Sequence, residues 1–355
     1  MEYKALKDIA KITMGQSPDS SSYNEEKEGL PFFQGNADFG ELYPNERVWC
    51  NDPKKVAEPG DILISVRAPI GALNYAKDKC CIGRGLAAIT IEDEAERNYV
   101  FHLLKARNKD LNQKGTGSTF KAIGKNVLEE VAVPQISRDE QQKCMDMMDL
   151  LESIIRERKS QLDKLDDLIK ARFVEMFDDI KDICDAGYYI KSLTAGKSLA
   201  GEAECENKVL KTGAASFDYF DASQVKNLPL DYEPQAEHLV KAGDIIISRM
   251  NTAELTGAAA YVWDIQENVY LPDRLWKANL NDECNPIFVW QMLIQPATKE
   301  QIRRECSGTS GSMKNISKPG MLALKVKKVP FELQNQFADF VQQVDKSKVV
   351  ALKAA

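Results

Sequence analysis

A chain of 355 residues, 43% of them hydrophobic, is long enough for two domains that each bury a core. Its formal charge of −7 argues mildly against a nucleic-acid binder, whose usual electrostatic footprint is basic. Residues 138–182 hold 13 acidic against 9 basic side chains, so most of that excess belongs to one segment and basic loops are free to occur elsewhere. No run of roughly eighteen apolar residues exists, and Met1-Glu2-Tyr3-Lys4 lacks the apolar block of a signal peptide, so a cytoplasmic protein with no membrane partner is expected. The eight cysteines, at 50, 80, 81, 144, 184, 205, 284 and 306, form no C-x-x-C pair, and only two histidines are present. Reduced buried thiols are expected, with no metal site and no disulfide framework.

The first elements lie in residues 1–137. Tyr3 to Ala10 leads to a Gly15-Gln16-Ser17-Pro18 turn and a polar loop from Asp19 to Asn24. Leu30-Pro31-Phe32-Phe33-Gln34-Gly35-Asn36 follows, then a strong strand signal, Gly60-Asp61-Ile62-Leu63-Ile64-Ser65-Val66-Arg67. Cys81-Ile82-Gly83-Arg84-Gly85 to Ile89 reads as a loop running into a buried strand, and Tyr99 to Leu104 has helical spacing. A glycine-rich loop, Gly115-Thr116-Gly117-Ser118-Thr119-Phe120-Lys121, precedes Leu128 to Pro134.

Residues 138–182 then read as one continuous helix. Apolar side chains recur every seven residues at Met148, Ile155, Leu162, Ile169 and Met176, with Leu151 and Leu165 in a second seam. Mixed charge fills the other faces, and neither Gly nor Pro interrupts the run from Arg138 to Phe177. At about 1.5 Å per residue such a rod is roughly 60 Å long, and its stripe needs a partner helix.

After the rod the same order of events returns over residues 183–331. Tyr189 to Leu193 and Gly196-Lys197-Ser198 echo the opening, and Val209 to Ala214 echoes the Leu30 block. Gly243-Asp244-Ile245-Ile246-Ile247-Ser248-Arg249 matches Gly60 to Val66, Gly308 to Ile316 matches Gly115 to Ile123, and Leu324 to Pro330 matches Leu128 to Pro134. A second helix follows in residues 332–355, with Phe337, Val341, Val344 and Leu352 at near-heptad spacing. It supplies the missing partner, packed antiparallel. Being shorter than the rod, it leaves part of the stripe for another chain, or marks a shortened protein.

On the paired Gly60-Asp61-Ile62-Leu63-Ile64 and Gly243-Asp244-Ile245-Ile246-Ile247 strands, the paired glycine loops and the Val-Pro exits into helices, the chain resembles the specificity subunit of type I restriction-modification systems. The resemblance implies a mixed α/β (α+β) fold: two similar target recognition domains, 1–137 and 183–331, separated by long antiparallel coiled-coil helices with a pseudo-two-fold internal repeat. It further implies a non-catalytic reader of a bipartite double-stranded DNA target, one domain per half-site. The helices would act as a ruler and dock two modification subunits, which carry S-adenosylmethionine and the adenine methyltransferase site. Restriction subunits, with ATP and Mg, would add translocation and cleavage, and this chain itself would bind no cofactor. Half-sites one DNA turn apart are roughly 34 Å between centres, a gap the rod can span.

No catalytic motif emerges. Asn285-Pro286-Ile287-Phe288 falls one residue short of a methyltransferase string and reads as a helix start. Gly196-Lys197-Ser198 lacks the glycine that a phosphate-binding loop needs at position 191, and His102 and His238 lie in different halves. For DNA contact the candidates are loop residues able to donate to bases or phosphates: Arg67, Arg84, Lys114, Ser118 and Lys121 in the first half, and Arg249, Asn251, Arg274, Lys277, Ser312 and Lys314 in the second. Because the glycine loops recur in both halves, base specificity is expected in residues that differ between them. Two competing readings are a self-contained DNA methyltransferase or nuclease, and a coiled-coil scaffold with no DNA role.

Overall fold

A left-handed glycine followed by an aspartate, buried in the first half and half-buried in the second, starts the most deeply buried strand in each half of the chain. Gly60 has φ +85° and Gly243 φ +96°, a region that suits glycine because a side chain would clash with its own backbone. The next residue closes the turn: Asp61 Oδ2 accepts from Glu58 N–H at 2.9 Å, and Asp244 Oδ2 accepts from Lys241 N–H at 2.8 Å. The aspartates of the repeated Gly-Asp signal are therefore turn clips. The strands they launch, Ile62–Ser65 and Ile245–Ser248, are buried along their whole length.

The computed structural model describes residues 2–117, 121–307 and 313–353, with side chains described as far as residue 348. It divides into two units, Met1–Arg156 and Glu157–Ala355, the division falling inside the central helix.

In unit 1 a four-stranded antiparallel sheet has the order Lys11–Met14, Leu86–Thr90, Ile62–Ser65, Leu73–Tyr75. The helix Glu94–Ala106, capped by Asp93 accepting from Glu96 N–H at 2.8 Å, lays Val100, Phe101 and Leu104 into the same core as Ile62, Ile64, Ala87 and Ile89. A second sheet runs Tyr23–Asn24, Trp49–Cys50, Leu30–Phe33, Cys80–Ile82, Val56–Ala57, with Leu30–Phe33 and Cys80–Ile82 parallel. Burial there pushes the Cys80 thiol up to about 12 and the Cys81 thiol up to about 11, so both stay protonated. Glu2–Ala5 pairs antiparallel with Ala132–Gln135, and Ser137 then starts the central helix through a capping box with Glu140.

Unit 2 repeats this plan. Its four-stranded sheet has the order Ile190–Ala195, Leu275–Leu280, Ile245–Ser248, Ala259–Tyr261, the same sequence of neighbours as in unit 1. Lys208–Leu210 lies parallel to Val269–Tyr270, as Leu30–Phe33 does to Cys80–Ile82, although this second sheet has three strands where unit 1 has five. Ile183–Asp185 pairs with Lys325–Lys327 in the place of the opening pair. Asn285 accepts from the N–H groups of Ile287 and Phe288, at 3.0 and 3.4 Å, and caps the helix Pro286–Leu293. The Asn285-Pro286-Ile287-Phe288 string is thus a helix start.

The last helix, Phe331–Lys353, packs antiparallel against the second half of the central helix Arg138–Phe177. Phe337 meets Phe173 and Phe177 with ring centroids 5.4 Å apart in both pairs, while Lys348 Nζ bonds Asp166, so numbers rise along one helix as they fall along the other. Ile169, Phe173, Phe177, Phe337, Ala338, Val341 and Val344 are buried in one cluster with Phe288. Leu165 and Met176 pack at its margin, and Leu162 is half-buried.

The heptad seam departs from expectation in two ways. Phe173 and Phe177 carry the burial in place of Met176, because the helix packs on a globular core as well as on a second helix and its buried face follows 3.6 residues per turn. Leu151 and Ile155 are exposed, at 46% and 66%, whereas Met148 is half-buried and Met145 reaches the unit 1 core. Their pairing with the last helix is corrected: Phe337 and Lys348 seat that helix on residues 166–177 of its own unit, and Leu151 and Ile155 belong to the other unit. Leu352 has its side chain outside the described residues.

Candidate nucleic-acid interface

Each Gly-Asp strand ends beside the glycine loop of its own unit. In unit 1, Ile123 N–H donates to the Val66 carbonyl at 2.9 Å and Ala68 N–H to the Lys121 carbonyl at 3.0 Å, while Thr116 and Ala122 exchange backbone bonds of 3.0 and 2.9 Å. Arg67 stands opposite Ala122, so Arg67 and Lys121 share one exposed rim. Val66 N–H also donates to the Gly85 carbonyl at 2.9 Å, which sets exposed Arg84 next along that rim. Lys114, exposed, ends the helix Asn108–Gln113 just before the loop. Among the described residues no hydrogen bond or ion pair occupies the side chains of these four cations, leaving their donors available to a phosphate or a base edge. Ser118 lies outside the described residues.

Unit 2 repeats the bonds with different side chains. Ile316 N–H donates to the Arg249 carbonyl and Arg249 N–H to the Arg274 carbonyl, both at 3.1 Å, and Ser307 and Asn315 exchange backbone bonds of 3.0 Å. Asn251 pairs in register with Lys314. The structure therefore gathers Arg249, Asn251, Arg274 and Lys314 at the place that Arg67, Arg84 and Lys121 hold in unit 1. In sequence, seven residues separate the paired Ser307 and Asn315, against five between Thr116 and Ala122. Ser312 lies outside the described residues.

Within this group the roles divide. The Arg249 guanidinium is half-buried, 5.5 Å over the Trp276 ring, a cation–π contact that ties it to the sheet. Asn251 donates to Ser216 Oγ at 3.2 Å and accepts from Thr252 N–H at 2.9 Å, which organises its own loop. Arg274 is exposed. Lys277 is set apart from the group: its Nζ donates to the Leu239 carbonyl at 2.7 Å and lies 3.8 Å from the Asp244 carboxylate, with 14% of the side chain exposed. The expectation of a DNA-contacting Lys277 is corrected, because its sheet position turns the ammonium inward onto fixed acceptors.

Two features escaped the sequence reading. In unit 1 a cleft of about 590 Å³ lies beside Arg84, walled by Ser17, Tyr23, Phe32, Gln34 and Asp38. In unit 2, Phe217 and Tyr219 are exposed at 64% and 57% on either side of Asp218, whose φ is +62°. Lys299 holds Asp218 at 2.6 Å and also donates to the Gly257 carbonyl. Burial pushes the Lys299 ammonium below its usual range, against the pull of that carboxylate. The repeated serines 17 and 198 were a usable signal for the first feature. The Phe-Asp-Tyr string has no period and offered none.

His102 lies 3.7 Å from Glu152, and His238 lies 3.5 Å from Glu237 in the other unit. Among the described residues no group of three or more His, Cys, Asp or Glu side chains is placed to hold a metal ion, and no helix is long and apolar enough to cross a membrane.

Residues 1–165 match the family model described as the type I restriction modification DNA specificity domain. A Methanocaldococcus jannaschii protein described as the type I restriction enzyme MjaX specificity subunit is 48% identical over 158 residues, 43% of this chain and 37% of that protein. The type I restriction enzyme MjaIX specificity subunit of the same organism is 25% identical over 191 residues, 51% of this chain and 44% of that protein. The crystal structure of the HsdS subunit from Thermoanaerobacter tengcongensis is 45% identical, with a TM-score of 0.39, over 43% of this chain and 37% of that one. The chain thus spans less than half the length of each of these relatives.

Proposed function

For a chain whose residues 1–165 carry a type I restriction modification DNA specificity domain, we propose the role of a non-catalytic DNA reader within a type I restriction-modification assembly. Unit 1 reads one half of a bipartite double-stranded site and unit 2 reads the other. The central and last helices fix the spacing and dock two modification subunits, which bind S-adenosylmethionine and methylate adenine. Restriction subunits add ATP- and Mg-dependent translocation and cleavage.

The observation that carries this reading is the repetition of the fold down to single hydrogen bonds. Ile123 on Val66 corresponds to Ile316 on Arg249, and Val66 on Gly85 to Arg249 on Arg274. One scaffold used twice, with different polar side chains at each rim, suits two readings of DNA better than one active centre. The antiparallel helix pair inside unit 2 supports the ruler, since a packed seam holds length where a flexible linker would not.

The test is methylation of genomic DNA by the chain with modification subunits, before and after residues 3–134 are exchanged for another recognition domain. The expected outcome is methylation only in the presence of the partners, with one half-site changed by the exchange. An unchanged target sequence, or S-adenosylmethionine binding by the purified chain alone, would overturn the proposal.

A further inference from the structure

The rim of unit 1 stands on a backbone frame that unit 2 keeps while two of its side chains change. Gly15 N–H donates to the Leu86 carbonyl at 2.9 Å, and a Cβ there would collide with the Gly83 carbonyl. In unit 2 this bond moves: Gly196 N–H donates at 3.0 Å to the Pro272 carbonyl, the counterpart of Gly83 rather than of Leu86, and its Cβ would collide with the Leu271 carbonyl, so what the two units share here is a glycine that admits no side chain. Two residues further on, Ser17 Oγ accepts from Arg84 N–H at 3.2 Å, and Ser198 Oγ accepts from Asp273 N–H at 3.3 Å. The backbone half of the serine clasp is thus the same, but it carries an arginine in one unit and an aspartate in the other, and the hydroxyl that donates to Gln34 in unit 1 donates to the Asp273 carboxylate in unit 2.

Strand register fixes a second correspondence. Phe32 pairs with Cys81 in parallel, and Val209 pairs with Tyr270 in parallel, so Gln34 and Lys211, each two residues on, occupy equivalent places. Both are exposed, as are Arg84 and Asp273. A kept frame with altered donor and acceptor groups is what two readers of unlike sequences require, because phosphate contacts set register while side chains at base edges carry the sequence.

In unit 1 these two side chains open on the 590 Å³ cleft. The Ser17 hydroxyl donates to Gln34 Oε1 at 3.0 Å, which fixes the amide plane, and Nε2 has no hydrogen-bond partner among the described residues. The Arg84 guanidinium is likewise unengaged. Asp38, in the same wall, is matched by Arg47 at 2.5 Å and accepts from the Gln34 backbone N–H at 2.7 Å. Its charge is therefore offset locally, while the exposed Asp19 carboxylate on the same wall accepts from Ser21 and has no paired cation among the described residues. The Gly85 bond to Val66 joins this cleft to the rim bearing Arg67 and Lys121.

Resting on the DNA-reading assignment above, we infer that Gln34 and Arg84 are the base-reading residues of unit 1. Arg84 selects guanine by paired donation to O6 and N7, and Gln34 selects adenine through N6 and N7. Lys211 and Asp273 hold the equivalent places in unit 2.

The test is selection of bound sequences from a randomised duplex library by the purified full chain, by Arg84→Ala and Gln34→Ala, and by the exchange Gln34→Lys with Arg84→Asp. The wild-type chain selects a bipartite motif. Each alanine variant loses discrimination at one base pair of one half-site by about 5- to 150-fold, keeps the other half-site, and binds random DNA within about 3-fold of wild type. The exchange alters the preferred bases in the same half-site only. A bipartite motif left unchanged by all three variants overturns this inference alone. A wild-type chain that selects no sequence overturns the DNA-reading assignment with it. Unfolding midpoints measured for every variant, which are expected to match wild type because both side chains are exposed, guard against misfolding as the cause.

Discussion

Replacing Phe337 by alanine isolates the helix pairing from every surface contact. The ring is fully buried, and it meets Phe173 and Phe177 edge-on at 5.4 Å and Phe288 at 6.5 Å. Withdrawing a buried phenyl group from its apolar surroundings costs about 2–3 kcal/mol. The void left by the ring, on the order of 100 Å³ if its neighbours stay in place, adds about 2 kcal/mol at about 24 cal/mol per Å³. The expected loss is therefore about 4–5 kcal/mol, at the upper end for a Phe→Ala change. Hydrogen exchange read peptide by peptide is the suitable assay, since a chain of two units need not unfold in one step. Amides of unit 2 that exchange only through its cooperative opening should speed up by about three orders of magnitude, while those of residues 2–117 keep their rates. A loss below about 1.5 kcal/mol, or equal acceleration in both units, would refute the placement of Phe337 at the centre of the seam.

The uncovered part of the central helix gives a contrast. Ile155→Lys should change stability by no more than about 0.5 kcal/mol, whereas Ile169→Lys should cost more than about 3 kcal/mol, as read by denaturant unfolding. Asp93 provides a pH handle: the bidentate Arg138 partner, at 2.6 and 2.7 Å, holds its carboxyl down at about 2. An acid depressed in the folded state contributes stability above its unfolded value of about 3.9, and that contribution is lost as pH falls toward 2. Arg138→Met should remove this part of the acid limb, and titrations of unit 1 stability that superimpose between pH 4 and 2 would contradict it. On DNA, Arg67→Ala and Lys121→Ala should each lower the slope of log affinity against log salt by about 1, measured by fluorescence anisotropy across a salt series. Lys277→Ala should leave that slope unchanged and instead lower the unfolding midpoint, because its ammonium bonds the Leu239 carbonyl.

The duplication was legible because it rests on features a sequence displays directly. A glycine needing positive φ, an aspartate clipping the turn and a run of aliphatic residues recur at Gly60 and Gly243 with little variation. The seam was legible only in part. Heptad counting marks apolar positions but is blind to what they face, so it treated exposed Ile155 and buried Ile169 alike and missed that Phe173 and Phe177 bear the load. Lys277 was misjudged for a similar reason: a lysine in a strand reads as a surface charge until the carbonyl of Leu239, 38 residues away in the chain, is seen to receive it. Gln34 was passed over because its meaning depends on a strand register, Phe32 against Cys81, that no local pattern reveals.

The glycine loops hold a further consequence. Thr116 with Ala122, and Ser307 with Asn315, are paired through main-chain N–H and carbonyl groups. Side chains around them can be traded by mutation without unpicking the bonds that keep the fold intact. If the chain reads DNA as proposed, a lineage could therefore drift toward a new recognition sequence in small, tolerable steps, retaining a foldable protein at every intermediate.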